Sequence, residues 1–150
     1  MTQTLEIGAK APQINAKDQN GKLRSIEEFK GKKLVLYFYP KDDTPGCTAE
    51  ACDLRDNYQN FIAKGYAILG VSPDNEAKHQ KFITKYELPF DLLADTDNAV
   101  ALAYGVWVEK SMYGRKYMGI ARTTFIIDEK GKIEQIIEKV NTKAHSSQIL

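Results

Sequence analysis

Two uninterrupted apolar runs mark the centre of the chain. Residues 34–39 form a run that Pro40 stops, and residues 66–71 form a second run that ends at a Ser-Pro pair. Neither run alternates between apolar and polar positions. This pattern is typical of strands that are buried on both faces, as in the middle of a parallel sheet.

Two later stretches predict an antiparallel hairpin. Residues 123–127 and 133–137 are rich in β-branched side chains, and they flank the turn-forming segment 128–131. An earlier hairpin is predicted to turn at Asn20 and Gly21, because this dipeptide favours tight turns.

Helical patterns lie between these strands. A stripe of apolar side chains recurring every three or four residues predicts a helix that lies on the sheet. Residues 75–86 and 97–104 are two further candidates, and residues 143–150 are expected to begin a final helix that the chain barely completes. Strands alternating with helices, followed by a hairpin, predict an α/β fold with a mixed central sheet. The apolar stripe of the first predicted helix consists of Cys47, Ala51, Leu54, Tyr58, Phe61 and Ile62.

Composition narrows the class of protein. The 150 residues suffice for a single domain, 1–150, and 43% hydrophobic with 27% charged residues is the mix of a globular protein. Because 21 Lys and Arg nearly balance 20 Asp and Glu, no general nucleic-acid-binding surface is expected. No apolar run is long enough to span a bilayer, and residues 1–6 lack the pattern of a secretory signal. A cytoplasmic location is therefore expected.

Cys47 and Cys52 are the two cysteines of the chain. A zinc site is not expected, since His79 and His145 stand at no ligand spacing from them, and both histidines are interpreted as surface residues. The remaining residues of interest are given structural interpretations, Asp42 and Asp43 as solvated loop residues and Trp107, Tyr113 and Tyr117 as packing residues.

The loop after the first apolar strand carries the informative chemistry. Thr44 is a plausible helix N-cap and Pro45 suits the first helical position, which places Cys47 in the first turn. Unpaired backbone N–H groups and the helix dipole favour a thiolate there. Alternatively, Cys47 is only a small buried residue on the apolar stripe of the helix, but the nearby Cys52 argues against this interpretation.

The spacing of the two cysteines has a geometric consequence. Five residues apart on an intact helix, their Cα atoms lie ~8–9 Å apart, whereas a disulfide needs a separation below about 7 Å. Cys47 and Cys52 therefore bond only if the first turns of the helix unwind. Such a short loop adds little stability, so a structural bridge is not expected.

The motif Pro40-x-x-x-Thr44-x-x-Cys47 resembles the active-site signature of peroxiredoxins, which are thiol peroxidases with a thioredoxin-like fold. The surrounding segment 39–56 is similar to the bacterioferritin comigratory protein, or Q-type, branch of that family. The resemblance covers nearly the whole chain. Further matches are Gly8-x-x-Ala11-Pro12 and residues 119–128.

The resemblance implies a thioredoxin-like fold with a mixed central β-sheet, flanking helices and an N-terminal β-hairpin. It also implies that Cys47 is the peroxidatic nucleophile, which attacks a hydroperoxide and becomes a sulfenic acid. Cys52 is implied as the resolving thiol, which forms an intramolecular disulfide with Cys47. Exchange with thioredoxin or glutaredoxin then reduces this disulfide. The family implies no metal, flavin or haem, and a monomer is expected.

The resemblance implies supporting roles for four further residues. The Thr44 hydroxyl faces the peroxide oxygens, Pro40 limits access of water to the thiolate, Arg122 brings a guanidinium to the sulfur, and Glu50 holds that arginine. Each residue has a plainer alternative. Arg122 is then a solvated charge at a strand edge, Thr44 only a cap, Pro40 only a strand terminator, Glu50 a favourable first-turn acid, and Cys52 an inert packed thiol.

Two other functions use the same cysteines. A thiol–disulfide oxidoreductase would require a Cys-x-x-Cys pair, which the chain lacks. A redox-sensing switch or holdase would use oxidation of Cys47 to unwind the helix and expose apolar surface.

Overall fold

A computed structural model describes residues 5–150. The interpretation that no secretory signal begins the chain falls mainly on residues 1–4, which lie outside the described residues. Within residues 5–150, none of the helices has the length and apolar character that crossing a membrane requires.

The elements alternate as the sequence predicts. The helices are α1 (Pro45–Asp56), α2 (Tyr58–Ala63), α3 (Glu76–Tyr86), α4 (Ala99–Ala103) and α5 (His145–Ile149), with a 3-10 helix at Ile26–Phe29. The strands are β1 (Ala16–Asp18), β2 (Leu23–Arg24), β3 (Lys33–Phe38), β4 (Tyr66–Ser72), β5 (Asp91–Ala94), β6 (Trp107–Met112), β7 (Arg115–Ile120), β8 (Thr123–Ile127) and β9 (Ile133–Ile137).

The described chain forms a seven-stranded mixed sheet in the order β2-β1-β5-β4-β3-β8-β9. Strand β3 pairs in parallel with β4 and antiparallel with β8, and β4 pairs in parallel with β5. The β1–β2 pair is the predicted N-terminal hairpin, and Gly21 takes the positive φ of +77° that its turn requires. The β8–β9 hairpin is also confirmed.

Strand β3 is buried on both faces, as its unbroken apolar run predicts. Leu36 and Phe38 belong to one core cluster, which α4 and β8 help to build. Tyr37 and Tyr39 belong to a second cluster on the opposite face of the sheet, where α1 and α3 pack. Cys47 lies in this second cluster.

Two of the predicted helices differ in extent from the observed ones. The first predicted helix is two helices, because the backbone leaves the helical conformation at Asn57, with φ −105° and ψ 10°. The side chain and the backbone N–H of Asn57 both donate to the Asp53 carbonyl. Beyond the break Phe61 stays fully buried, whereas Ile62 is 47% exposed and does not belong to the stripe. Helix α4 is shorter than residues 97–104, because Asn98 adopts a left-handed conformation with φ +60°.

Strand β5 and the hairpin of β6 and β7 were not predicted. The hairpin is a separate two-stranded sheet with polar side chains on much of its surface, so its sequence carries no apolar run. Tyr113, at its tip, is 99% exposed and Tyr117 is 43% exposed, so their interpretation as packing residues is wrong. Trp107 is partly buried against the core, as expected.

The interpretation of His79 and Asp42 as solvent-facing residues is also wrong. His79 is fully buried, and its Nδ1 lies 2.6 Å from Asp42 Oδ2 while its Nε2 lies 2.8 Å from the Leu93 carbonyl oxygen. Asp42 Oδ1 accepts a hydrogen bond from the Tyr39 hydroxyl at 2.6 Å. The pair ties the loop after β3 to helix α3. Asp43, in contrast, is exposed as expected.

Candidate active site

The topology brings three elements to one edge of the sheet. Strand β3 ends at Phe38, and the loop that follows leads into α1. Because β8 runs antiparallel to β3, its first residue Thr123 pairs with Phe38. Arg122, immediately before Thr123, therefore stands beside the first turn of α1, where Cys47 lies. Carboxyl ends of parallel strands are where α/β folds place their sites.

The first turn of α1 holds the Cys47 thiol in a protected position. Thr44 takes the extended N-cap conformation and its carbonyl accepts the Thr48 N–H at 2.8 Å, while Pro45 occupies the first turn. The Thr44 side chain makes no capping bond and donates instead to the Lys41 carbonyl at 2.9 Å. Cys47 is only 2% exposed.

Arg122 contacts both the sulfur and a carboxylate through different nitrogens. Its Nη2 lies 3.3 Å from Cys47 Sγ, and its Nη1 donates to Glu50 Oε1 at 2.7 Å. A Cβ added to Gly46 would lie 3.3 Å from Nη2, so the glycine leaves room for the guanidinium. Burial opposes the charge on Arg122, but Cys47 and Glu50 raise its pKa above the ordinary value.

Glu50 lies on α1 one turn after Cys47 and is fully buried. Burial raises the pKa of Glu50 to about 7, and Arg122 acts against this shift. The plainer alternative for Glu50, an acid that favours the first helical turn, does not describe this carboxylate, because Glu50 lies beyond the first turn of α1 and is buried. Its position supports a role in holding the guanidinium.

Cys52 lies on the same continuous helix and is half-buried. Both cysteines are free thiols, and the helix between them is intact. The two sulfurs therefore need local unwinding to meet, as the spacing predicts. Pro40 follows β3 and is half-buried at the start of the same loop.

His145, interpreted from the sequence as a surface residue, is fully buried behind this site. Its Nε2 lies 2.7 Å from Thr124 Oγ1 and 3.5 Å from Glu50 Oε2, and its Nδ1 lies 2.7 Å from Gln148 Oε1. Burial lowers the pKa of His145. No local pattern marked this residue, because helix α5 has a single turn and its burial depends on distant elements.

An apolar cleft of about 480 Å³ lies on the other side of Arg122. Val106, Val108 and Phe125 line its wall, and Lys110 and Arg122 supply its cations. Burial and the nearby Arg122 charge lower the pKa of Lys110. Among residues 5–150, no group of three or more His, Cys, Asp or Glu side chains is arranged to hold a metal ion.

Comparison with known proteins identifies the class to which this fold and site belong. The model of the AhpC/TSA family matches residues 7–136, and the chain belongs to that family. It is 48% identical over 147 residues to peroxiredoxin Bcp of Bacillus subtilis, covering 98% of this chain and 94% of that protein. It is 42% identical over 146 residues to peroxiredoxin Bcp of Escherichia coli, covering 97% and 94%.

Solved structures of peroxiredoxins also match the fold of this chain. The bacterioferritin comigratory protein of Xanthomonas campestris, described with its alkyl peroxide reduction activity, matches with a TM-score of 0.87 at 33% identity, covering 96% of this chain and 94% of that one. BcpB of Mycobacterium tuberculosis matches with a TM-score of 0.84 at 32% identity, covering 96% and 93%. The chain is therefore a thiol peroxidase with the thioredoxin-like fold, of the Q-type branch of peroxiredoxins.

Proposed function

We propose that the chain is one domain, 1–150, that reduces hydrogen peroxide and organic hydroperoxides with Cys47 as the peroxidatic residue and Cys52 as the resolving residue. The observation that carries this assignment is the contact of Arg122 with both Cys47 Sγ and Glu50. A cysteine at a helix N-terminus beside a fixed cation has the surroundings in which reactive cysteines occur. The alkyl peroxide activity of the Xanthomonas relative and the apolar cleft beside Arg122 support organic substrates.

In the first step, the Cys47 thiolate attacks the terminal oxygen of the hydroperoxide. The S–O bond forms as the O–O bond breaks, and the departing oxygen takes a proton and leaves as water or an alcohol. Cys47 is then a sulfenic acid. Arg122 stabilises the charge that develops on the oxygens, the Thr44 hydroxyl orients them, and Pro40 limits water at the sulfur.

In the second step, the first turns of α1 unwind and the Cys52 thiol attacks the Cys47 sulfur. The S–S bond forms, the S–O bond breaks, and the hydroxyl leaves as water after protonation. The intact helix between the two cysteines supports this order, because it holds them too far apart to bond. Glu50 keeps Arg122 in place during the first step.

A dithiol reductant of the thioredoxin or glutaredoxin type returns two electrons and completes the cycle. We propose that this exchange takes place with a monomer in the cytoplasm, without a metal, flavin or haem. The absence of a Cys-x-x-Cys pair supports a peroxidase over a disulfide oxidoreductase.

The experiment is intact mass and thiol count after one equivalent of hydrogen peroxide. The wild type should lose both thiols rapidly, Cys52→Ser should trap a sulfenic acid on Cys47, and Cys47→Ser should not react. Equal, slow oxidation of all three proteins would refute the assigned roles. Repeated turnover with thioredoxin separates a peroxidase from a sensor that reacts once.

A further inference from the structure

The hairpin of β6 and β7 concentrates exposed apolar side chains in one part of the molecule. It stands apart from the seven-stranded sheet. Among residues 5–150, four of the eight exposed large hydrophobic side chains belong to it, namely Met112, Tyr113, Tyr117 and Met118. Exposed apolar side chains that stand together mark interaction surfaces, whereas ones scattered singly are ordinary.

The strand register assigns the side chains of the hairpin to two faces. Directly paired residues of an antiparallel sheet point to the same face, and so do residues two apart along a strand. One face therefore carries the side chains of Val108, Lys110, Met112, Arg115 and Tyr117. Val108 and Lys110 also line the apolar cleft beside Arg122. We call this surface, with Tyr113 at the turn, the cleft face of the hairpin.

The surroundings of Gly119 agree with this assignment. A Cβ added to Gly119 would lie 3.2 Å from Lys110 Cδ and 3.5 Å from Tyr117 Cε2. The stem of Lys110 and the ring of Tyr117 therefore lie together over the glycine. Side chains of this kind cover apolar surface with their carbon atoms and keep their polar ends in water.

The charges of the hairpin divide between the same two faces. On the opposite face, Glu109 and Lys116 form an ion pair at 3.6 Å. The cleft face carries the cations Lys110 and Arg115 and no acid, and neither cation has an ion-pair partner among residues 5–150. Glu138 lines the cleft but bonds to neither of them. The cleft face thus combines exposed apolar side chains with positive charge that is not neutralised.

We propose that the cleft face of the hairpin docks the protein, weakly and reversibly, on the surface of an anionic lipid bilayer. Its tyrosine and methionine side chains enter the headgroup region, where rings with a polar end are stable, and its two cations face the lipid phosphates. Because Val108 and Lys110 belong both to this face and to the cleft, docking places the apolar cleft next to the acyl chains.

Other occupants fit the cleft face less well. In a two-fold contact between copies of the chain, the same face meets itself. Lys110 and Arg115 of the two copies would then oppose each other with no acid between them. An acidic protein would supply the negative charge but no chains for the apolar cleft. A bilayer supplies both.

Co-sedimentation of the dithiol protein with vesicles tests the docking. Vesicles of two parts phosphatidylcholine to one part phosphatidylglycerol should bind the wild type. Vesicles of phosphatidylcholine alone should bind it less, and high salt should release it from the mixed vesicles.

Two variants test the two components of the cleft face. Tyr113→Asn removes the ring and keeps the turn, because Tyr113 and Gly114 both have positive φ, 53° and 79°, and Asn-Gly is favoured in such turns. It should weaken binding to the mixed vesicles about fivefold, as expected for partial burial of one aromatic side chain. Arg115→Ser should also weaken this binding about fivefold, the effect of one cation at an anionic surface.

Lys130→Ser is the matched control. It removes the same charge from the turn of the β8–β9 hairpin, at the end of β8 away from Arg122, and should bind as the wild type does. No binding of the wild type to mixed vesicles would overturn the proposal. So would equal losses in Arg115→Ser and Lys130→Ser, since net charge alone would then account for the binding.

Analytical ultracentrifugation tests the alternative of a second copy. A dimer that forms in the wild type and is lost in Tyr113→Asn would assign the cleft face to self-association and overturn the docking on lipid. None of these measurements uses peroxide. Failure of the docking therefore leaves the proposed peroxidase function untouched, and failure of that function leaves the vesicle binding to be judged by itself.

Discussion

At the scale of single residues, the guanidinium of Arg122 is the group whose geometry is hardest to replace. One planar side chain contacts a sulfur and a carboxylate at once, through Nη2 and Nη1. A lysine presents a single ammonium and cannot make both contacts in that arrangement. Arg122→Lys should therefore slow the oxidation of Cys47 by hydrogen peroxide by about 100-fold or more.

Stopped-flow fluorescence of the single tryptophan, Trp107, provides the rate constant if oxidation changes its emission, and quenched-flow mass spectrometry provides it otherwise. Arg55→Lys is the control, since Arg55 lies on the same helix as Cys47 and bonds to Asp56 and to the Tyr86 carbonyl instead. A rate within twofold of the wild type in Arg122→Lys would show that charge alone suffices at this position.

Substitution of His79 is also expected to have a large effect, in this case on the stability of the fold. His79→Leu leaves both Asp42 Oδ2 and the Leu93 carbonyl without their partner in a buried site. Breaking a buried pair from one side costs about 3 kcal/mol. Urea unfolding of the reduced protein should show this loss.

Lys81→Leu, an exposed substitution on the same helix, should change the free energy of unfolding by less than about 0.5 kcal/mol. Equal stability of His79→Leu and the wild type would mean that the Asp42–His79 pair contributes nothing to the anchoring of the loop.

These residues also show where sequence reasoning ends. Cys47, Thr44 and Arg122 stand in motifs that indicate their site, and the structure brings Arg122 and Cys47 into contact. His79 and His145 stand in no motif, and their partners lie up to about a hundred residues away along the chain. Burial of an isolated histidine is a property of the tertiary contacts, and the local pattern of residues does not contain it.

At the scale of elements, α1 has to be stable enough to hold the thiol and weak enough to unwind. Ala49 lies between the two cysteines and is half-buried. Glycine costs a helix about 1 kcal/mol relative to alanine. If unwinding precedes disulfide formation, Ala49→Gly should speed the disulfide step about fivefold, since 1.4 kcal/mol corresponds to a factor of ten.

The first oxidation of Cys47 should be unchanged in this variant, and the two steps are separable by rapid quenching with a thiol-blocking reagent. Ala77→Gly makes the same substitution in α3, which does not need to unwind, and should leave both steps unaffected. A disulfide step that is equally fast in Ala49→Gly and the wild type would place the rate limit elsewhere.

The elements that the sequence predicted are those with a strong periodic pattern. The apolar runs of β3 and β4 and the β8–β9 hairpin agree with the structure to within a residue. Strand β5 is only four residues long, and the β6–β7 hairpin exposes polar side chains, so neither has a comparable pattern. The break at Asn57 is a change of backbone conformation at one residue, which a stripe of apolar residues does not reveal.

At the scale of the whole molecule, the site joins elements from both halves of the chain. Helix α1 contributes Cys47 and Glu50, the turn before β8 contributes Arg122, and α5 contributes His145. Ile149 and Leu150 pack against the core cluster that contains Cys47. If α1 unwinds to form the proposed disulfide, we expect the packing of α5 to be disturbed as well.

This linkage predicts the stability of the oxidised protein. A disulfide between Cys47 and Cys52 closes a loop so short that the constraint on the unfolded chain contributes about 2 kcal/mol at most. Formation of the disulfide also loses stabilising interactions. These are the first turns of α1, the contacts of Arg122 with Cys47 and Glu50, and the docking of α5. Because the buried ion pair alone is of similar size, we expect the disulfide form to unfold at a lower temperature than the dithiol form.

Calorimetry before and after one equivalent of hydrogen peroxide tests this, with amide hydrogen exchange to locate the change in α1 and α5. Treatment with a dithiol should restore the original transition temperature. Cys52→Ser, which cannot form the bridge, should lose much less stability on oxidation. A higher transition temperature in the disulfide form would mean that the bridge stabilises the fold, and that α1 does not have to be disrupted to make it.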